Sequence, residues 1–425
     1  MSDNPIRDLF ASKADFYERS KRSWNPGKTQ FWQDAGVDLC IDRREGYVLQ
    51  DFDGHRLVNL HLNGGTYNLG HRNAELVQTL KDALDHFDMG NHHFPALART
   101  ALAERLHAVS PQNLVYSIYG SGGGEAIDIA LKSARHAAKK RKIVSIIKAY
   151  HGHTGLAVCT GDERFSRLFL ADRPDEFVQV PFNDLDAMET ALRGRDVAAV
   201  IMETIPATYG FPMPKEGYLK GVKALCERYD AFYIADEVQT GLMRTGEMWA
   251  ITKYGVTPDI LVSAKGIGGG LYSLGCVLVS EETGAWMRED GFGHISTGGG
   301  AELACVVAMK VLEITDRPEV RANVASQTVL WSEQLAAIRR RHADFFTGIR
   351  QNGLVMGLEF DHPQGAKFVM KALYDNGVWA IFSTLDPRVL QWKPGLLKTA
   401  EQCRDVLERL DRSIAIARKA LPKAA

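Results

Sequence analysis

The chain has almost no net charge: 51 Lys and Arg face 52 Asp and Glu, leaving a formal charge of -1. Without a basic or acidic excess there is no electrostatic footprint for nucleic acid or for an anionic membrane surface. The short basic runs at 139–142 and 339–341 end amphipathic helical patterns, where a solvated helix end explains them. Long apolar runs are missing as well, and nothing approaches the length of a membrane span. The opening MSDNPIRDLFASKADF has neither the apolar core of a signal peptide nor the Arg/Ser bias of a transit peptide. Its six cysteines, Cys40, Cys159, Cys226, Cys276, Cys305 and Cys403, form no CxxC pair and no metal-ligand spacing. Internal repeats and low-complexity tracts are absent. The expectation is a cytoplasmic protein with no metal, nucleic-acid or membrane partner.

What is present is a large apolar fraction: 45% of 425 residues, enough for two or three domains with a sizeable core. A polar arm carries aromatic anchors at Phe16, Tyr17, Trp24, Phe31 and Trp32, and aromatics in such an arm pack onto something. Strand-like pieces at 46–51 and 56–62 follow, joined by the turn signal Asp53-Gly54. From Asn73 onward, apolar runs at 114–119, 143–147, 198–202, 232–235, 260–263 and 275–279 alternate with amphipathic helices such as 125–140 and 218–229. That alternation predicts an α/β fold with a mostly parallel sheet covered by helices, plus a smaller α/β domain from the N- and C-terminal segments. The boundaries read as 1–60 for an arm joining the small domain, 61–315 for the large domain, and 316–425 for the small C-terminal domain.

In such a sheet, ligands bind beyond the C-terminal strand ends, so the residues after each run matter most. After 114–119 comes Gly120-Ser121-Gly122-Gly123-Gly124-Glu125, opening into a helix, which is a tight turn or a phosphate site built from backbone N–H groups. After 143–147 comes Tyr150-His151-Gly152-His153, where Tyr150 either packs in the core or stacks on a planar ring. Asp236 follows 232–235; buried there it needs a cationic partner, and exposed it is a helix cap. One helix-and-strand unit later, Lys265 stands between an apolar run and a glycine string, either as a solvated turn residue or as a presented amine. Amine, carboxylate, aromatic face and phosphate cradle together match the needs of pyridoxal 5'-phosphate.

At this point the sequence resembles the class III (ω-amino acid type) aminotransferases, fold type I pyridoxal phosphate enzymes. The likeness runs from about residue 51 to 410 and rests on DEVQTGLMRTG at 236–246, SAKGIGGG at 263–270, YHG at 150–152 and HISTGGGAELAC at 294–305. It implies Lys265 as the Schiff-base lysine, Asp236 as partner of the ring nitrogen, and Gln239 near the ring hydroxyl. It further implies Tyr150 and Val238 over the two ring faces, and Gly123 and Gly124 on the phosphate. Thr297 would reach the phosphate of a neighbouring subunit's cofactor, which implies a homodimer or a dimer of dimers. The implied reaction moves an amino group from an amine or amino acid to a keto acid. A racemase, aminomutase or lyase on the same scaffold is the alternative, and the YHGH word resembles those branches.

The departures concern the substrate. Where the family often carries an arginine after its aromatic-HG word, this chain has His153; where a second arginine precedes the PPL word, it has Gln391; and the partner of that arginine is Thr208. Neither Gln391 nor His153 makes the bidentate contact of a guanidinium with a carboxylate. Either Lys393 or Arg388 supplies the missing charge, or the substrates lack a second carboxylate. Gly124 also replaces a hydroxyl-bearing residue of the family's phosphate word, which predicts a weaker cradle.

Overall fold

A computed structural model describes residues 4–421; the outermost residues of the arm (1–3) and of the closing segment (422–425) lie outside the described residues. The arm forms two helices, Lys13–Ser23 and Pro26–Asp34, each started by a side chain that accepts a backbone N–H: Ser12 from Asp15 and Asn25 from Lys28. Proline at the first position of the second helix fits, because that position needs no N–H. Strands β1 (Ile41–Glu45), β2 (Val48–Asp51) and β3 (Arg56–Asn59) then form an antiparallel meander that buries Leu49 and Leu57.

The central sheet has seven strands: β4 (Leu114–Gly120), β5 (Lys142–Ile146), β6 (Phe177–Val180), β7 (Val197–Glu203), β8 (Phe232–Asp236), β9 (Ile260–Ser263) and β10 (Gly275–Ser280). Their order is β4-β10-β9-β8-β7-β5-β6. Every residue of β7 and β9 is buried, as expected for strands covered on both faces. The sheet is parallel except at β10, which runs antiparallel to both neighbours. The alternation read through residues 275–279 misses this reversal. Between β9 and β10 lies only a short 3-10 turn, Lys265–Gly268, and without a crossover helix the chain returns in the opposite direction. Strand β6 has no counterpart among the runs read from the sequence, being a four-residue edge strand with half-buried Val178 and Gln179.

The remaining strands are β11 (Phe346–Asn352), β12 (Val355–Phe360), β13 (Val378–Trp379), β14 (Ile381–Ser383) and β15 (Asp386–Trp392). An antiparallel sheet of order β11-β12-β15-β14 packs against the helices Pro318–Arg341 and Gly365–Asp375, and the helix Ala400–Ala420, started by a Thr399/Gln402 capping box, packs on those two helices. Strand β13 instead joins the N-terminal meander, pairing Val378 with Val58 in parallel, so the first and last parts of the chain share one sheet. For the site, the decisive register is β7 against β8. It sets Glu203 directly beside Asp236 at the carboxyl ends of the central strands.

Candidate active site

Beyond those strand ends lies a cavity of about 290 Å³ that brings together Gly123, Gly124, Tyr150, Asp236, Val238, Gln239 and Lys265. Asp236 is only 4% exposed and fully engaged: His151 Nδ1 lies 2.7 Å from one oxygen, and the Val238 N–H donates to the other at 3.0 Å. Nε2 of His151 is itself buried without a partner. Beside this pair, Glu203 accepts the N–H groups of Tyr150 at 3.1 Å and Ala207 at 3.0 Å. Burial, reinforced by the charge of Asp236, pushes the Glu203 carboxyl up to about 7. Lys265 follows β9 in the left-handed region at φ 50. Burial lowers the pKa of its amine, against the pull of Asp236 and Glu203.

The opposite end is the N-terminus of the helix Gly123–Ala138. No side chain caps it, and its first intrahelical bond runs from Ala126 to Gly122, so the N–H groups of Gly123 and Gly124 are unused within the helix. The 150–155 loop presses on this turn. A Cβ on Gly124 would stand 2.7 Å from Thr154 Oγ1, and a Cβ on Gly152 would stand 2.9 Å from the Gly124 Cα. A side chain at Gly124, where the family carries a hydroxyl, would therefore displace Thr154. Thr154 does not return that donor, since its hydroxyl donates to Asp128 at 2.9 Å.

Gln239 links the cavity to a buried lysine. Lys393 Nζ donates to Gln239 Oε1 at 3.0 Å and to Gln391 Oε1 at 2.5 Å, and Glu203 acts on it through its charge without forming a salt bridge among the described residues. Burial, with Arg244 and Lys265 nearby, drives its amine well below the ordinary lysine range. Five sequence-predicted residues lie outside the cavity lining: Gln391 and Lys393, and also His153, Thr208 and Thr297. The imidazole of His153 is exposed, packs against Tyr150 and Phe165 at 5.2 and 4.6 Å between ring centroids, and is shifted toward its neutral form by burial. Thr208 accepts the Leu385 N–H through its carbonyl at 3.1 Å. Thr297 stands exposed on the 290–300 loop.

Sequence reasoning missed the roles of His151 beside Asp236 and of the turn Leu62–Gly65, whose Asn63 lines the cavity. The signal for the turn was available in Asn63-Gly64-Gly65, a word that demands left-handed backbone. A Cβ on Gly64 would lie 2.8 Å from Lys265 Cε and 3.3 Å from Gln239 Oε1, so glycine there keeps room around the amine.

Measured against pyridoxal phosphate, the arrangement fits. An anion site at an uncapped helix end, a buried carboxylate and a space-guarded lysine border one cavity of the right order for a small cofactor.

Comparison with known proteins agrees. The family model described as "Aminotransferase class-III" matches residues 32–414. An uncharacterized aminotransferase of Archaeoglobus fulgidus is 41% identical over 405 residues, covering 95% of each chain. Among solved structures, the ornithine aminotransferase of Toxoplasma gondii superposes with a TM-score of 0.88 at 23% identity, over 99% of this chain and 100% of that one. The taurine:2-oxoglutarate aminotransferase of Bifidobacterium kashiwanohense, in complex with PLP and glutamate, gives 0.84 at 26% identity over 90% and 94%. With a match that spans most of the chain and a relative this similar along nearly all of it, the chain belongs to the class-III aminotransferases and is a pyridoxal phosphate-dependent enzyme.

Proposed function

We propose that Lys265 would hold the cofactor through its aldehyde and would serve as the base that moves a proton at the substrate carbon. Support comes from its lowered basicity and its place at the end of β9, facing the Asp236 and Glu203 edge. When bound, pyridoxal phosphate supplies an electrophilic carbonyl and a ring that accepts the electron pair left by the broken C–H bond. Asp236, kept in place by His151 and the Val238 N–H, would hold a proton on the ring nitrogen. Tyr150 and Val238 would cover the ring faces, Gln239 would meet the ring hydroxyl, and Gly123 and Gly124 would bind the phosphate.

For the substrate we infer recognition without an arginine clamp. Arg388 is already engaged by Asp386 at 3.2 Å and Glu359 at 3.7 Å, which removes it as a free counter-charge. Lys393 and Gln391 serve the substrate side through Gln239, while His153 and Thr208 stand further out. The observation that carries the reading is that the Lys393 ammonium is hydrogen-bonded to two amide oxygens, lies over the Phe211 ring and is driven toward its neutral form. The test is steady-state kinetics with pyruvate and 2-oxoglutarate as acceptors. The expected outcome is a kcat/KM for pyruvate at least equal to that for 2-oxoglutarate; a strong preference for 2-oxoglutarate overturns it. Amine consumption should also depend on added acceptor, which separates transfer from racemisation or elimination.

A homodimer fits the surface. Phe94, Leu97, Phe292 and Ile295 are 68, 81, 61 and 51% exposed on segments that meet through His93 and Phe292, next to Thr297. This patch would bring Thr297 to a partner's phosphate site. The division into 1–60, 61–315 and 316–425 is supported by β13 closing the N-terminal sheet. A reducing cytoplasm is supported by six free cysteines. Among the described residues, no helix is long and apolar enough to cross a membrane.

A further inference from the structure

Lys393 follows β15 and is only 3% exposed, and among the described residues it forms no salt bridge. Its main chain is held on both sides. The Lys393 N–H donates to the Leu60 carbonyl at 2.8 Å, and the carbonyl of the next residue, Pro394, accepts from Arg244 Nη1 at 2.5 Å. The side chain crosses the Phe211 ring, with Nζ 5.3 Å from its centroid, and ends between two amide oxygens, Gln239 Oε1 and Gln391 Oε1. A polar head is tolerated out of water only where its donors are used. Burial, with Arg244 and Lys265 nearby, drives this amine toward the neutral form, whose two N–H groups match the two oxygens it meets.

These two bonds fix an orientation. The two ends of a glutamine amide have similar shape and opposite polarity, so a free amide offers a partner either a donor or an acceptor. At Gln239 the lysine takes the oxygen, and Nε2 has no protein partner among the described residues, while the residue itself lines the cofactor cavity. Room on the oxygen side is limited, since a Cβ on Gly64 would stand 3.3 Å from Gln239 Oε1. Gln391 serves as the second acceptor, which keeps the lysine head from swinging away from Gln239. Resting on the placement of Gln239 at the cofactor's ring hydroxyl, we propose that Lys393 is a positioning residue that turns the Gln239 amide so that its NH2 group donates to the ring oxygen. Pyridoxal phosphate carries negative charge on that oxygen when the hydroxyl is ionised, and a donor there stabilises the charge, where an amide oxygen would repel it. A lysine outside the cavity lining thus acts on the cofactor through a residue inside it.

The test is equilibrium dialysis of the cofactor-free full chain against pyridoxal phosphate and against 3-deoxypyridoxal phosphate, which lacks the ring hydroxyl. The readout is the ratio of the two affinities and is independent of turnover. The wild type is expected to favour pyridoxal phosphate, and Lys393→Met to cut that preference about tenfold, the scale of one hydrogen bond to a charged group. Gln239→Leu should cut it by a similar factor, and the double variant no further, because Lys393 acts through Gln239. A merely structural role weakens both ligands alike and leaves the ratio where it was. An unchanged ratio in Lys393→Met beside a lowered one in Gln239→Leu overturns the proposal and leaves Gln239 at the ring hydroxyl. An unchanged ratio in Gln239→Leu overturns that placement and the proposal with it. Losses that multiply in the double variant also overturn the proposal, since the lysine would then act on the oxygen by its own charge. Should Lys393→Met fail to fold, Lys393→Met with Gln391→Leu removes the orphaned amide oxygen as well and is read in the same way.

Discussion

At the scale of single residues, Lys265 and Glu203 hold the chemistry in tension. Both are ionisable groups taken out of water at the same strand edge, and burial moves each toward its neutral form. Lys265→Ala is expected to lower turnover by about 10³-fold or more in steady-state assays, because the roles proposed for it, amine nucleophile and proton carrier, are lost together. Glu203 gives a pH prediction. Its folded-state value, about 7, lies above the unfolded value of 4.5, so the two states hold equal protons well below that range. As pH rises, the unfolded chain loses the proton first and the folded chain must then bury a charge, so stability is lost through about pH 7. In the cofactor-free protein, Glu203→Gln should flatten this decline, read as the slope of Tm against pH between about 5 and 9. An unchanged slope would contradict the assignment. Gly64→Ala places a Cβ 2.8 Å from Lys265 Cε at φ 72, so it is expected to reduce kcat at least about tenfold and to cost about 1–2 kcal/mol of stability by denaturant titration.

At the scale of elements, the phosphate end is a contact between a helix start and a loop. The sequence shows that Gly124 lacks the family's hydroxyl, which reads as a lost donor. The packing opposes restoring it: Thr154 lies in the volume a side chain would need and would have to shift. Gly124→Ser is therefore expected to weaken cofactor binding several-fold in an absorbance titration, and Gly124→Ser with Thr154→Ala to recover much of it. Tighter binding by the single variant would show that the loop yields without cost. A similar local cause sets the turn at β10. A crossover helix would have kept it parallel, as in a βαβ unit, but a short 3-10 turn with Gly269 at φ 59 and Gly270 at φ 72 sends it back antiparallel.

At the scale of the whole molecule, the exposed apolar patch around Phe292 and Ile295 is the face that the proposed homodimer would cover. Light scattering after size exclusion is expected to give about twice the chain mass of 47.1 kDa. Phe292→Asp with Ile295→Asp should yield the monomer and, by withdrawing Thr297 from the partner's site, weaken cofactor binding about tenfold. A monomeric wild type with full cofactor affinity would overturn the shared site.

The sequence alone determined the layer architecture and the cofactor end of the site. Strand periodicity is local, and a carboxylate, an aromatic and a lysine placed just after apolar runs must reach the same sheet edge whatever the loops do. That is why Asp236, Tyr150, Gly123 and Lys265 were readable as a group, and why they share one cavity. Tertiary structure decided the rest. That Asp236 leans on His151, that Thr154 crowds Gly124, and that the arm helices and the strand pair near Trp379 wall a second cavity meeting the first at Asn63 are contacts between segments far apart in the chain. Such contacts depend on how elements dock, a sum of many small packing terms that no local pattern of residues encodes.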